Sequence, residues 1–311
     1  METLTAPHTA YEPAKLPLAP TDYLLHLADN ALVLGQRNAE WCGHAPILEE
    51  DLAMANNSLD LIGQARLLYQ AAAERISGDV RAPRGASWPT GPITEDTLAY
   101  FRGDAEFRNY VLLELPHHTG LVPAGGGERD WSVSIVRNFL YSALMVLLWE
   151  RLQQSADAQL AAIAAKSLKE VRYHLRHSRD WLLRLGDGTE ESQRRAQAAL
   201  DWLLPFTEEF WSANALEGEA EASGTGIDAA SLRTAWDRIV DEAVSEAALK
   251  RPPAASHYVT EGKHGLHSEH LSYLLGEMQG LARAHPGAKR VRGSHPRARG
   301  SARRRMGGAR R

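Results

Sequence analysis

The residues best suited to chemistry lie in Lys169-Glu170-Val171-Arg172-Tyr173-His174. A Glu and a His three residues apart on a helix share one face. Two such pairs, with one carboxylate from each of two further helices, hold a pair of iron or manganese ions inside a four-helix bundle. Here the position three before His174 is Val171, and the carboxylate stands one residue earlier, at Glu170. One residue turns a side chain by about 100° around a helix. The segment has the composition of a metal motif with its register broken.

The other helices would have to complete such a site. Leu61-Ile62-Gly63-Gln64 stands where the second Glu-x-x-His pair is expected, with Asp60 one position off. Ser142 stands in the middle of the third long helix, whose acids are Asp130 and Glu150 near its two ends. Glu40, at the end of the first helix, is the one acid in a suitable place. One carboxylate and one imidazole do not hold two metal ions, a task that uses about four carboxylates and two His. Two readings follow. In the first, Glu40, Leu61, Gln64, Val171 and His174 are vestigial ligand positions, no residue is catalytic, metal-binding or cofactor-binding, and His174 is satisfied by a neighbouring side chain. In the second, a one-residue helical bulge turns Asp60 or Glu170 inward, and Glu40, Asp60, Glu170 and His174 form a non-standard metal site of an active oxygenase or oxidase.

Other candidates carry less. His264, His267 and His270 are spaced for chelation, but Ser268 and Glu269 beside them read as a helix start, so a capping or interface role is expected. His117-His118 falls in a loop and is assigned no role. Cys42, the one cysteine, is expected as a small core residue near a helix end; it rules out an internal disulfide and a Cys-based zinc or iron–sulfur site. There is no Gly-x-Ser-x-Gly and no dinucleotide or phosphate-loop fingerprint.

The elements that must position these residues are helices. Thr21 can cap a helix to about Trp41, and Gly43-His44-Ala45-Pro46 breaks it. A second runs from about Ile47 to Ile76, with Glu49, Glu50 and Asp51 in its first turn. Ser77 to Pro92 reads as a loop, with short helices expected over Glu95–Phe101 and Ala105–Glu114 and a Gly-rich crossover over Leu115–Glu128. Asp130 to Gln154 and Asp157 to Leu185 form the clearest pair. Their seams, Ile135, Phe139, Ser142, Val146 and Trp149 against Leu160, Ala164, Ser167, Val171, His174 and Ser178, alternate by three and four residues as bundle helices do. Gly186-Asp187-Gly188 reads as a glycine C-cap. Further helices are expected over Thr189–Ser212, Ala230–Ala248 after a Gly/Ser/Glu linker, and Ser268–Ala284. The fold class is all-α, a ferritin-like four-helix bundle with additional helices. It divides into a disordered segment 1–20, a helical domain 21–285 and a basic, disordered tail 286–311.

With 311 residues, 44% hydrophobic and 24% charged, the chain has the composition of a soluble globular protein. No apolar run approaches the roughly 18 residues of a membrane span, and Met1 to Pro20 lacks the apolar centre of a signal peptide. The net charge of −4 hides an asymmetry: Lys289 to Arg311 holds ten Lys and Arg and no acid, leaving 25 basic against 39 acidic residues in the body. A basic tail can bind nucleic acid, but this one has no aromatic residue for base stacking, and the acidic body repels phosphates.

Several blocks, in order, carry a resemblance: Tyr23-Leu24-Leu25 through Gly35-Gln36-Arg37-Asn38-Ala39-Glu40-Trp41-Cys42-Gly43-His44-Ala45-Pro46, then Leu59 to Leu68, Lys169 to Arg176 and Gly265 to Leu271. From about Tyr23 to Lys289 the chain resembles the C subunits (PaaC) of bacterial ring-1,2-phenylacetyl-CoA epoxidases, multicomponent oxygenases of aerobic phenylacetate catabolism. The single cysteine argues for a cytoplasmic setting, and the resemblance implies a ferritin-like structural subunit without a working metal site. It implies as partners a related catalytic A subunit that carries the di-iron centre and a bridging B subunit, with electrons passing from NADPH through a reductase holding FAD and an iron–sulfur cluster. It also implies that Ala39–Gly43, Leu61–Gln64 and Val171–His174 correspond to ligand segments of the A subunit, with Glu40 and His174 kept and Leu61, Gln64 and Val171 in place of ligands. The Arg-rich segment after Lys289 departs from the family pattern.

Overall fold

From Trp131 to Leu152 apolar residues fall on every side of the helix, with Arg137 and Asn138 the charged and amide exceptions before Glu150, a pattern that suits a helix enclosed by others. In the computed structural model, which describes residues 17–78, 88–89, 91–118, 129–253 and 260–286, this stretch is α5 (Trp131–Leu152). Asp130 caps it by accepting from the Ser132 N–H at 2.8 Å. α5 is long and apolar enough by composition to cross a membrane, although Arg137 and Asn138 interrupt its apolar run, and the bundle buries most of it. α1 (Thr21–Ala39) is enclosed in the same way. α2 (Leu48–Gly78) packs along α1, and α6 (Ala158–Gly186) packs along α5. α2 also meets α6, so two antiparallel pairs close into an all-α, ferritin-like bundle. Among the described residues the only β pairing is an isolated bridge between Glu261 and Leu266.

The remaining helices cover the two enclosed ones. α3 (Glu95–Tyr100), α4 (Val111–Glu114) and α10 (Glu269–Ala284) form one accessory layer, reaching α1 through α4 and α10. α7 (Glu190–Leu203) and α9 (Arg233–Glu246) lie on α5 and α6, and α8 (Ala215–Ala222) touches α1. The outward faces of α2 and α6 stay open.

The structure corrects several local expectations. Pro20, not Thr21, is the N-cap of α1, and no side chain caps that end. The stretch expected as one helix over Ala105–Glu114 is a 3-10 turn (Asp104–Glu106) and α4, separated by extended backbone. There the Arg108 and Tyr110 amides donate to Asp29 and Asn30 of α1, each at 2.8 Å, so α1 side chains replace the helical acceptors. After α7 the chain tightens into a 3-10 helix (Leu204–Trp211) at Pro205, which has no N–H for the α-helical ladder. Ala229–Leu232 is likewise 3-10 before α9. The supposed Gly/Ser/Glu linker contains α8, capped by Asn214, which accepts from the Leu216 N–H at 2.9 Å. Gly186 belongs to α6, and Asp187 is the C-cap. A Cβ at Gly186 would lie 2.0 Å from the Ala247 carbonyl oxygen, so this glycine permits the approach of the chain after α9. Cys42 is exposed, because α1 ends at Ala39 and the chain crosses to α2 on the outside. Of the segments expected as disordered, 1–20 and 286–311, residues 17–20 and 286 are described, with Ala19 buried and its N–H donating to Asp157 at 3.0 Å. The remainder falls on residues 1–16 and 287–311, and much of the two expected loops on 79–87 and 119–128. These four stretches lie outside the described residues.

Candidate functional site

α2 and α6 run antiparallel as uninterrupted α-helices, with no bulge to re-aim a side chain. The register read from the sequence therefore fixes what enters the bundle. Val171 and Leu61 are 1% and 2% exposed and fill the positions where two ligands would stand. Ser142 is buried on α5. His174 is buried, and its Nε2 lies 3.1 Å from the Asp60 carboxylate, which is itself 37% exposed. Gln64 donates to Glu170 at 3.0 Å. Along the same seam His177 meets Glu50 at 2.7 Å, Gln159 donates to Glu74 at 3.2 Å, and Arg75 donates to Asp157 at 2.5 Å. Asp157 also caps α6 through the Gln159 and Leu160 N–H groups. The polar groups along the line where α2 meets α6 thus form a ladder of helix-to-helix pairs.

Glu40 takes no part in that ladder. It accepts from Arg37 at 2.6 Å and lies 3.5 Å from His117 Nε2. Of the four candidates, Asp60 and His174 pair with each other, while Glu170 is held by Gln64 and Glu40 by Arg37. Among the described residues no three His, Cys, Asp or Glu side chains come together in a metal-holding group. The donor set of the bundle does not fit a two-metal carboxylate centre.

The densest polar chemistry lies elsewhere, at the junction of α1, α5 and the accessory layer. Asn38 and Asn138 exchange amide hydrogen bonds at 2.8 and 2.9 Å. The Arg before each Asn reaches the end of α4: Arg37 donates to the Glu114 carbonyl, and Arg137 to those of Leu115 and Pro116. These carbonyls have no helical partners of their own. His117, assigned no role from sequence, is buried there, with Nε2 2.8 Å from the Arg37 carbonyl and Nδ1 2.6 Å from Ser134 Oγ. A carbonyl only accepts, so Nε2 carries the proton and Nδ1 accepts, which makes His117 neutral. Burial, then the charge of Arg137, hold its pKa well below the usual His value. His26 is likewise neutral: Nδ1 donates to the Arg108 carbonyl at 2.6 Å, and Nε2 accepts from Asn30 at 3.3 Å. Burial, then the charge of Lys263, push its pKa down to about 3.

His267 is the opposite case. Nδ1 faces the Glu114 carboxylate at 2.8 Å and Nε2 the Phe107 carbonyl at 3.1 Å. Both partners are acceptors, so both nitrogens carry protons and the ring is an imidazolium. Burial disfavours the charge, but the hydrogen bond and charge of Glu114 outweigh it, and the pKa rises. Glu114 also accepts from the Ser268 N–H at 2.6 Å and from Asn109 at 2.9 Å. The expected Ser268 side-chain cap is absent: Ser268 Oγ is buried without a hydrogen-bond partner, and only the N–H of that residue is engaged, by Glu114. His264 is exposed, so the three histidines do not converge. Two more buried ion pairs complete the layer. Arg102 pairs with Asp29, which also accepts from Tyr69 Oη at 2.5 Å. Lys263 donates to Glu217 of α8 at 2.7 Å.

Residues 1–289 match the family model described as phenylacetic acid catabolic protein. The chain belongs to that family. It is similar to the C subunit of the 1,2-phenylacetyl-CoA epoxidase of Escherichia coli (strain K12): 44% identical over 267 residues, covering 86% of this chain and 97% of that protein. The whole described bundle of this family member lies inside the match, and the Arg-rich stretch from residue 290 lies beyond it.

Proposed function

We propose that this chain is a non-catalytic, structural subunit of a multicomponent epoxidase that acts on the ring of phenylacetyl-CoA in aerobic phenylacetate catabolism. It supports and stabilises the catalytic A subunit in a cytoplasmic hetero-oligomer that also contains a bridging B subunit. The di-iron centre belongs to the A subunit, and NADPH, FAD and the iron–sulfur cluster belong to the reductase. The observation that carries this reading is the middle of the bundle. Leu61 and Val171, at positions where the sequence pattern leads one to expect ligands, are buried apolar side chains. The polar groups beside them are spent on each other, Asp60 with His174 and Gln64 with Glu170.

In physical terms the chain supplies a rigid surface. A bundle core closed by apolar packing does not depend on a bound metal for its stability, so it can hold a partner whose own core must accommodate irons. The test is turnover of phenylacetyl-CoA with reductase and NADPH, using the chain alone, the A subunit alone and the two together. Product is expected only when the A subunit is present, with more activity and a longer half-life when this chain accompanies it. Product formation by this chain alone would overturn the reading.

A further inference from the structure

The chain enters α10 through residues 260–268, and this segment is held at two points of different chemistry. At its start the Lys263 ammonium donates to the Phe210 and Ser212 carbonyls at 3.2 and 3.1 Å and to Glu217 at 2.7 Å. The Thr260 hydroxyl and the Lys263 N–H donate to Glu209 at 2.9 and 3.0 Å. At its end the His267 ring faces Glu114 and the Phe107 carbonyl. Between the two points Gly265 has a φ of +84°, and a Cβ there would lie 2.5 Å from the Ala105 carbonyl oxygen. The second point depends on one proton. A neutral imidazole has a single N–H, so once the proton leaves, either Glu114 or the Phe107 carbonyl loses its donor. The Glu114 carboxylate, whose side chain is 0% exposed, also loses the charge that balances it. Lifting the first turn of α10 admits water to Glu114 and to Ser268 Oγ, which is buried there without a partner. The rest of α10 is held by other means: Leu271, Leu274 and Leu275 are buried, and Gln279 donates to the Ala99 and Arg102 carbonyls at 3.0 and 3.1 Å.

We infer that His267 is a pH-sensitive latch: with both nitrogens protonated it docks the first turns of α10 on α4, and on losing a proton it lets α10 open about Gly265 while the bundle stays folded. The charged groups facing the ring come from every element packed around it. They are Glu114 of α4, Glu209 of the 3-10 helix Leu204–Trp211, and Asp104 of the 3-10 turn, which also accepts from Ser272 of α10 at 2.9 Å. From α1, Arg37 donates to the carbonyls of Glu114 and His270, and Glu269 and His270 follow on α10 itself. Burial disfavours the imidazolium, but the hydrogen bond and charge of Glu114 outweigh it, so the docked ring holds its proton to higher pH than a free one. Docking is therefore complete below about pH 6.5 and weakens as pH rises through the docked value. Burial lowers the pKa of His26, His117 and His270, so these have lost their protons before that range begins. The accessory layer is thereby adjustable by pH over a range in which the bundle is unaffected.

The test is amide hydrogen exchange of the full chain between about pH 6 and 8.5, with each rate divided by the intrinsic rate at that pH. Peptides of α10 are expected to keep full protection to about pH 6.5 and then to lose up to about tenfold per pH unit until the docked value is passed. Peptides of α5 are expected to stay within about twofold over the same range. Flat protection in α10, or α5 falling in step with it, would overturn the latch. His267→Gln, which cannot carry the charge, is expected to leave α10 weakly protected and level to within about twofold at every pH. His270→Gln, one turn further along α10, is expected to keep the slope. A slope in His267→Gln as steep as that of the unaltered chain, or its loss in His270→Gln, would overturn the assignment to His267. If His267→Gln does not fold, titration of the His267 ring by NMR in the unaltered chain decides. A ring that stays protonated above about pH 6.5 is the expected result, and one that has lost its proton by then would overturn the proposal.

Discussion

The seam between α2 and α6 and the junction between α1, α5 and the accessory layer are both rich in polar residues, yet they use them in opposite ways. In the seam the pairs lie at the edge of the bundle, and Asp60 is 37% exposed. Of its pairs, Asp60–His174 and Gln159–Glu74 are open to water, where an ion pair contributes little, whereas Arg75–Asp157, at one end, is nearly closed. In the junction the charges are sealed: Arg102 with Asp29, Lys263 with Glu217 and His267 with Glu114 all have side chains no more than 4% exposed. Groups buried this deeply are costly unless fully paired, and each is paired. The comparison teaches that the bundle's middle, where a metal would sit, is held by apolar packing. The specific polar chemistry has the task of clamping α4, α8 and α10 onto α1.

The contrast breaks most visibly at Asp29. Asp29→Ala leaves Arg102, the Tyr69 hydroxyl and the Arg108 N–H without their shared acceptor. Urea unfolding of the full chain is expected to show a loss of about 3–5 kcal/mol. A loss under about 1 kcal/mol would mean that the junction is no stronger than the seam.

The pH dependence should also arise in the junction. His26 and His117 have folded pKa values below their unfolded value of about 6.5. The unfolded chain therefore binds more protons below that value. Their contribution is complete above about pH 6.5 and is lost as pH falls, by roughly 1.4 kcal/mol per pH unit for each group. His267 has the reverse sign: its folded pKa is raised, so its contribution is complete below about 6.5 and is lost as pH rises through the folded value. Denaturation curves from pH 5 to 8 are expected to show stability falling on the acid side, and a shallower fall in His117→Gln. An acid limb with an unaltered slope in that variant would count against the assigned protonation state.

The smallest effect belongs to the seam. Asp60→Asn keeps an acceptor for His174 and removes a half-open charge, so the expected change in unfolding free energy is under about 1 kcal/mol. A change as large as that of Asp29→Ala would erase the contrast between the two regions.

How much of this was legible in the sequence follows from what each element depends on. The enclosed α5, the amphipathic α6 and the inward Val171 and His174 follow from periodicity, which reports a single helix at a time. The same holds for Leu61 and Gln64 on α2. The junction was missed because its pairs join residues remote in sequence: Arg102 to Asp29, Lys263 to Glu217, His117 to Arg37 and Ser134. Gly/Ser/Glu composition hid α8, whose role rests on Glu217 meeting Lys263. One signal was available. Arg-Asn occurs at 37–38, at the C-terminal end of α1, and again at 137–138, in the second turn of α5, and a charged residue followed by an amide inside an enclosed helix asks for a partner. His117 next to Pro116 gave no comparable hint, since a loop position does not reveal burial.

The central claim is that the bundle's middle holds no metal. Its most direct test is metal analysis of the full chain, purified after expression in iron- and manganese-supplemented medium, beside His174→Ala. The account predicts iron and manganese far below one per chain and no difference between the two proteins. Stoichiometric metal in the unaltered chain that His174→Ala removes would contradict it.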